Sequence, residues 1–583
     1  MEMGDHCGSL QEIINLTENL DCYEIYPHIE DYDDLGRYYI EELEVMQVPE
    51  HLQNYIDYEA YGRDVAMDEN GSFTDQGYVR DTGDRFCEYY DGERGSIPDE
   101  YRVMTFQDDL PEEEKSEWAM DIAFDMDEFF RQNDPQYAAE HPEAHAAKEE
   151  IYESLMAGRI SALEEKLAAL GRPDSSFLAE AKAEAKALTV GRTEFLKATG
   201  WRSEPAYKKA MAASGQFMYH YHLCCESNED FRRQMDRFDE LLEEKNLHLD
   251  RFGVSIDPSM ALPRDIRAEN RQGGSLYFES QADWDMLGMS RRMQPHLGDN
   301  MLGSPASVET VSCALKAGVT TIGNLSQFFG WDYPQFPDTA ARAKATASAM
   351  AIMAEHAADG ALIHSNLDDG YGDKAPDMGL LAGCALLEKY IADLLGAKLA
   401  HSFGDMFHSP YKRLVFLSAL CRIHPEGMTG SMIFANKLGR SHTDIELNTA
   451  HMTTCLLYDM AGQRVYRTGH AVTTLANQGL TTDTTPEQVV RTLEYAREME
   501  AYVPAVIETI DFAKVDRDAD MLVARGKRFV EATLEYLANY IDVTDPYAML
   551  LAVKTAGVGN LTAAFADRDG RSAVPTDYCL MHE

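Results

Sequence analysis

GVTTIGN (318–324), GALIHSN (360–366), GAKLAHS (396–402), GSMIFAN (430–436) and GHAVTTL (469–475) share one pattern. Each has a glycine, a short apolar run suited to extended backbone, and polar residues at or near its end. The spacings are 42, 36, 34 and 39 residues, and helical stretches such as ARAKATASAMAIMAEHAA and MGLLAGCALLEKYIADLL lie between them. Parallel strands need long crossovers, so a strand-helix unit repeated at this interval predicts a parallel α/β sheet. Working upstream, GVSID (253–257), GSLYF (274–278) and HLGDNML (296–302) raise the count to eight. The expectation is a TIM-like (β/α)8 barrel over 250–583 with a helical C-terminal tail, and an open doubly wound sheet is the alternative. No Gly-x-Gly-x-x-Gly turn and no Gly-x-x-x-x-Gly-Lys loop follows a strand, so neither dinucleotide nor P-loop phosphate binding is expected.

In a barrel, chemistry gathers where the strands end. The polar residues there are Asp257, Asn324, Gln327, His364, Asn366, Asp368, Asp369, His401, Asp405, His408, Asn436, Lys437, Arg440 and His442. Core-facing strand positions favour Val, Ile and Leu, so this concentration of polar groups points to a binding mouth. His364, Asn366, His401, Asp405 and His408 are the catalytic candidates, and Asn324, Gln327, Lys437 and Arg440 the substrate-binding ones. Metal-dependent hydrolysis or lyase chemistry is the competing reading. Against it, no His-Glu-x-x-His occurs, and His220-Tyr-His222 reads as part of a helix, where i and i+2 diverge. No metal ligand set is therefore assigned. Gly-x-Ser-x-Gly is absent too, which removes a serine-nucleophile elbow.

The stretch GDNMLGSPASVETVSCALKAGVTTIGNLSQF, followed by ALIHSNLDDGYG, a helix and LLGAKLAHSFGDM, resembles the catalytic barrel subunit of adenosylcobalamin-dependent glutamate (methylaspartate) mutase. TPEQVVRTLEYAREME and the helices after it are similar to that family's ending. The resemblance implies radical isomerisation of a small carboxylic acid at the barrel mouth, with His401, Asp405 and His364 orienting cofactor and substrate. On this reading Lys437 and Arg440 would hold a carboxylate or phosphate. Asp405-Met-Phe-His408 has the wrong spacing for a cobalt-binding Asp-x-His-x-x-Gly segment, so adenosylcobalamin would arrive on a separate small cobalamin-binding subunit.

The other half of the reading begins with charge. The chain has 583 residues, 100 Asp+Glu and 52 Lys+Arg, for a net charge of −48. Residues 1–170 hold 45 of the acids and 11 of the bases, and the first 110 contain no lysine. A direct nucleic-acid binder needs a basic face, so that class is excluded. Twelve of the 30 tyrosines lie in 1–110, which argues for a folded core under an acidic shell rather than a disordered tail. The alternatives are an inert solvated face or a carboxylate lattice that imitates DNA phosphates.

DYDDLGRYYIEELEVMQVPEHLQNYIDYEAYGRDVAMDENGSFTDQGYVRDTGD (31–84), above all IDYEAYGRD and GSFTDQGYV, closely resembles the ArdA-type antirestriction proteins. The resemblance spans 1–106 and lacks that family's usual N-terminal portion. It implies a DNA mimic that occupies the DNA groove of type I restriction-modification enzymes. The phosphate-mimicking candidates are Asp31, Asp33, Asp34, Glu41, Glu42, Glu44, Asp57, Glu59 and Asp64. Self-association into a homodimer is left open.

The expected organisation is thus multidomain. An acidic α+β module (1–106) precedes an acidic helical extension (107–170), a linker and helical lead-in (171–249, opening on GRPDSS), and the barrel. Ten cysteines without Cys-x-x-Cys predict reduced thiols, and MEMGDHCGSL has no signal-peptide pattern. No run approaches 18 apolar residues, so no membrane span is expected and a cytoplasmic location is. Two function classes follow: a fusion of DNA mimic and mutase-like enzyme, or a non-enzymatic restriction inhibitor carrying a passenger barrel.

Overall fold

The computed structural model describes residues 10–17, 19–43, 45–69, 71–74, 77–82, 85–88, 90, 104–106, 160–299, 301–372, 374–375, 377–404, 407, 409–425, 430–433, 445–473 and 485–565. Two compact units divide at Arg102 and Val103.

In unit 1 a three-stranded antiparallel sheet, ordered β1-β3-β2, combines β1 (Tyr23–Tyr26), β2 (Ser72–Thr74) and β3 (Gly77–Asp81). Its core is Ile29, Leu35, Ala66 and Tyr78, with Tyr26, Tyr38, Tyr39, Val65 and Phe73 packed around them. Tyrosines therefore do supply much of the core, although Tyr55 is 83% exposed. Two helices, Tyr32–Arg37 and Tyr58–Asp68, begin at Asp31 and Asp57, whose carboxylates accept the amides of Asp34 and Ala60. The helices cross at two glycines. A Cβ on Gly36 would stand 2.0 Å from the Tyr58 carbonyl oxygen, and one on Gly62 would stand 1.9 Å from that of Tyr32.

Neither carbonyl can yield without parting the helices. Gly62→Ala is therefore expected to destabilise unit 1 by about 1–3 kcal/mol, the usual range for overpacking. Hydrogen exchange at the amides of 58–68 should speed up, while amides of 362–366 in unit 2 serve as the internal control. Unchanged exchange in 58–68 would contradict the close crossing.

Among its described residues unit 2 carries β4 (Thr105–Phe106), which pairs antiparallel with β9 (Trp331–Asp332), and eight strands that are parallel throughout. These are β5 (Tyr219–Leu223), β6 (Leu249–Val254), β7 (Met293–Pro295), β8 (Thr321–Ile322), β10 (Leu362–Asn366), β11 (Leu399–Ser402), β12 (Met432–Ile433) and β13 (Ala471–Thr473). One sheet runs β12-β13-β5-β6-β7 and the other β11-β10-β8. Isolated parallel bridges join them at both ends, Leu297 to Ile322 and Phe403 to Ile433. Helices such as Ser307–Lys316, Thr339–Glu355, Met378–Leu395, Pro410–Ile423 and Ile445–Tyr466 separate the strands in sequence. Helices from Pro486 to Phe565 follow β13, and one large apolar cluster unites strands and helices.

Each of the five glycine-led segments contains a strand, while the earlier assignments need correction. Strand β6 precedes Ser255–Asp257, β7 precedes Leu297, and GSLYF contributes a bridge at Leu276 rather than a strand. The remaining strand is YHYHL, β5, within the stretch read as a helical lead-in. His220 and His222 therefore lie in a strand, and residues two apart share a face there. Of the acidic helical extension, 107–159 lies outside the described residues, and 160–168 is helical with Leu163 and Leu167 buried. Among the described residues no single helix is long and apolar enough to cross a membrane.

Candidate functional site

Unit 1 sorts its carboxylates by what they touch. Asp31 and Asp57 cap helices, and Asp34 accepts the Glu30 amide. Asp33 and Glu41 flank Arg37 at 2.7 and 3.6 Å, and Glu59 pairs with Arg63 at 2.9 Å, all in exposed one-turn pairs of small energetic worth. Glu42 and Asp64 are exposed, and Glu44 lies outside the described residues.

Helical geometry adds a member that the sequence reading missed. Asp57, Asp64 and Asp68 are spaced i, i+7, i+11, so they fall on one helix face, and all three are exposed. They cover about 16 Å of axis at 1.5 Å per residue. Glu69, one position on, is half-buried and turned toward the fold. It accepts Tyr39 at 2.6 Å, Tyr78 at 2.9 Å and Arg80 at 2.9 Å, and Arg80 also grips Glu24 at 2.6 Å. Arg80 and Arg37 thus serve the fold, while the helix face stays acidic.

Unit 2 brings several predicted residues together at the strand ends. Asn324 donates to Asp369 at 2.7 Å and accepts the Asn366 amide at 2.7 Å and Ser326 Oγ at 2.9 Å. Gln327 donates to Asp299 at 3.0 Å, and Asp368 accepts the Gly404 amide at 2.7 Å. These bonds tie together the segments that follow β7, β8, β10 and β11. Asp257 is fully buried and saturated by Ser259, Gln272 and Gly273, so it organises its loop. Asp405, His408, Asn436, Lys437, Arg440 and His442 lie outside the described residues.

His401 is placed differently from the expectation. It is fully buried, its Nδ1 lies 3.0 Å from His424 Nε2 and its Nε2 lies 3.2 Å from Glu388, which also accepts Tyr371 OH at 2.6 Å. Glu388 lies in the helix Met378–Leu395, and His424 caps the C-terminus of the helix Pro410–Ile423. The His401 ring therefore faces the helical layer, on the side opposite to its neighbours Ala400 and Ser402 in the pleat.

His364 stands instead in a histidine cluster that no sequence motif announced. Its Nδ1 is 2.6 Å from Ser431 Oγ, its ring centroid is 5.5 Å from that of His296, and His296 is 5.2 Å from His220. Glycines make the room: a Cβ on Gly323 would lie 2.5 Å from His364, and one on Gly253 would lie 2.9 Å from both His222 and His296. Burial holds His220, His296 and His364 well below the usual histidine range, with nearby Arg251 adding to the effect, so all three are neutral. His222, at the end of β5, is exposed, although desolvation lowers its pKa; its Nε2 lies 3.1 Å from Ser255 Oγ.

Beyond these rings lies a charged set. Glu204 Oε1 is 3.3 Å from Arg251 Nη1 and 3.6 Å from Lys208 Nζ, and Thr321 donates to Glu204 Oε2 at 2.8 Å. Burial pushes Lys208 down to about 7 and Arg251 down to about 10. A strand reading of YHYHL would have put His220 and His222 on one face, but Glu204, Lys208 and Arg251 carried no local signal. Among the described residues no group of three or more His, Cys, Asp or Glu is arranged to hold a metal ion.

Residues 1–80 match the family model described as Antirestriction protein (ArdA). No curated protein matches the chain.

Proposed function

We propose that unit 1 is an antirestriction module that imitates DNA and binds a type I restriction enzyme. The observation that carries this reading is the family match over 1–80, a stretch with 20 Asp+Glu and 3 Lys+Arg. The exposed face of Asp57, Asp64 and Asp68 gives the match a physical form, a row of fixed anions on a rigid helix. A groove shaped for phosphates, which follow at about 1.7 Å per charge along duplex DNA, attracts such a row by the same electrostatics.

The test is plating of unmodified phage on a host with a type I system that expresses the full chain. Plating is expected to rise above the empty-vector control. Glu42→Gln/Asp64→Asn/Asp68→Asn leaves the caps and Glu69 untouched and is expected to weaken binding about tenfold or more, with the loss greatest at low salt. Plating at the control level with a folded, expressed chain would rule the module out as an inhibitor.

For unit 2 the reading is a closed (β/α)8 barrel. Eight parallel strands neighbour one another in chain order, and the bridges Leu297–Ile322 and Phe403–Ile433 supply the two missing contacts. On that reading the tied strand ends form the mouth of an enzyme. Radical isomerisation of a small carboxylic acid, with adenosylcobalamin on a separate subunit, remains the proposal for its chemistry and rests on the order of elements in 298–441. His401 does not fit the cofactor-orienting role, because it is buried against Glu388 and His424, so no step is routed through that group. Electron paramagnetic resonance of the chain with a cobalamin-binding subunit and candidate acids tests the proposal, and absence of both complex and radical would end it.

A further inference from the structure

The set formed by Glu204, Lys208, Arg251 and His220 is fully built and not self-sufficient. Their relative exposures are 0, 1, 0 and 3%, so water does not reach them from the surface. Lys208 Nζ, Arg251 Nε and Nη2, and both ring nitrogens of His220 meet no hydrogen-bond partner among the described residues. Buried donors of this kind are costly, and charged ones most of all. Two cations face the single Glu204 carboxylate, one of whose oxygens also accepts Thr321. The Glu204 contact engages Arg251 through Nη1, which leaves the Nε/Nη2 edge unused. That edge is the planar fork that matches two oxygens of a carboxylate or phosphate. Deprotonation of Lys208 would remove the surplus charge but leave both Arg251 donors unmet.

We propose that this cluster is the binding site of a small oxyanion, held in bidentate fashion by Arg251 Nε and Nη2 and capped by Lys208 and His220. A carboxylate or an inorganic phosphate would meet the same donors, and one charge of −1 balances the set. The proposal rests on contacts within unit 2 and is independent of the antirestriction reading. It also places anion recognition on the helix Glu204–Ser214, β5 and β6.

The experiment uses the full chain. Ion chromatography of the desalted, denatured protein reads any retained anion. Isothermal titration and thermal unfolding with phosphate, acetate and chloride at matched ionic strength read uptake. A retained oxyanion near one per chain, or saturable uptake with a rise in Tm, is expected. Preference for phosphate or acetate distinguishes the two sources. Glu204→Gln removes the competing carboxylate and is expected to tighten binding about tenfold, whereas Arg251→Met abolishes it. Should Arg251→Met fail to fold, Lys208→Met is expected to weaken binding at least tenfold. Neither retention nor uptake by the wild-type chain, or equal binding by Glu204→Gln and wild type, would overturn the proposal.

Discussion

Between pH 7 and pH 5 unit 2 is expected to lose stability steeply, and histidines are the cause. Burial keeps His220, His296 and His364 well below the normal range, His470 down at about 3 and His424 at about 2. Free histidines in the unfolded chain take up protons near pH 6.5. Below that pH the unfolded state binds more protons than the folded one, so stability falls with falling pH, and above it the contribution is flat. Each such histidine is worth about 1.4 kcal/mol per pH unit, and the five together give a limiting slope of about 7 kcal/mol per pH unit. That slope exceeds what a marginally stable domain can absorb over one to two units. All four tryptophans lie beyond residue 102, so tryptophan fluorescence follows unit 2 without interference from unit 1. Urea midpoints at pH 7.5, 6.5, 6.0 and 5.5 provide the measurement. His470→Gln is expected to lower the slope by about one-fifth, and equal midpoints at pH 7.5 and 5.5 would show that the histidines titrate normally.

This dependence on buried rings also explains what could be read from sequence. Glycine-led apolar runs reveal β8, β10, β11, β12 and β13, because each strand is short, starts at a turn and repeats at a helical-crossover interval. β5 escaped because YHYHL alternates two tyrosines with two histidines, and polar rings do not register as core residues until the interior is known to be polar. Position in sequence alone puts His401 at the mouth. The pleat turns alternate side chains outward, and one residue of register decides whether a histidine meets ligand or Glu388. In unit 1 the acidic motif is plain, but only geometry separates the cap Asp31 and the half-buried Glu69 from the open face of Asp57, Asp64 and Asp68. The oxyanion cluster draws on Glu204, Lys208, His220 and Arg251, so no single window of sequence contains it.

Arg413→Met is expected to destabilise unit 2 by about 3–5 kcal/mol. Arg413 is 1% exposed; its Nε and Nη2 reach both oxygens of Asp459 at 2.9 and 2.6 Å. Its Nη1 donates to the Gly404 carbonyl at 2.8 Å, and the Gly404 amide in turn donates to Asp368. The guanidinium thus joins the helices Pro410–Ile423 and Ile445–Tyr466 to the segment that leaves β11 at the strand ends. Methionine fills comparable space but strands the Asp459 carboxylate, whose pKa burial already raises despite Arg413. Without the arginine that carboxylate should take a proton, so the penalty is expected to be larger at pH 8 than at pH 6.5. Arg413→Met/Asp459→Leu removes both charges and is expected to recover most of the loss, because apolar replacement of a buried pair is often neutral or better. Urea unfolding of the wild type, both single variants and the double variant, each at the two pH values, separates the terms. A single-variant penalty that the double variant retains in full, unchanged between pH 8 and 6.5, would assign the loss to packing and the Gly404 contact rather than to the stranded charge.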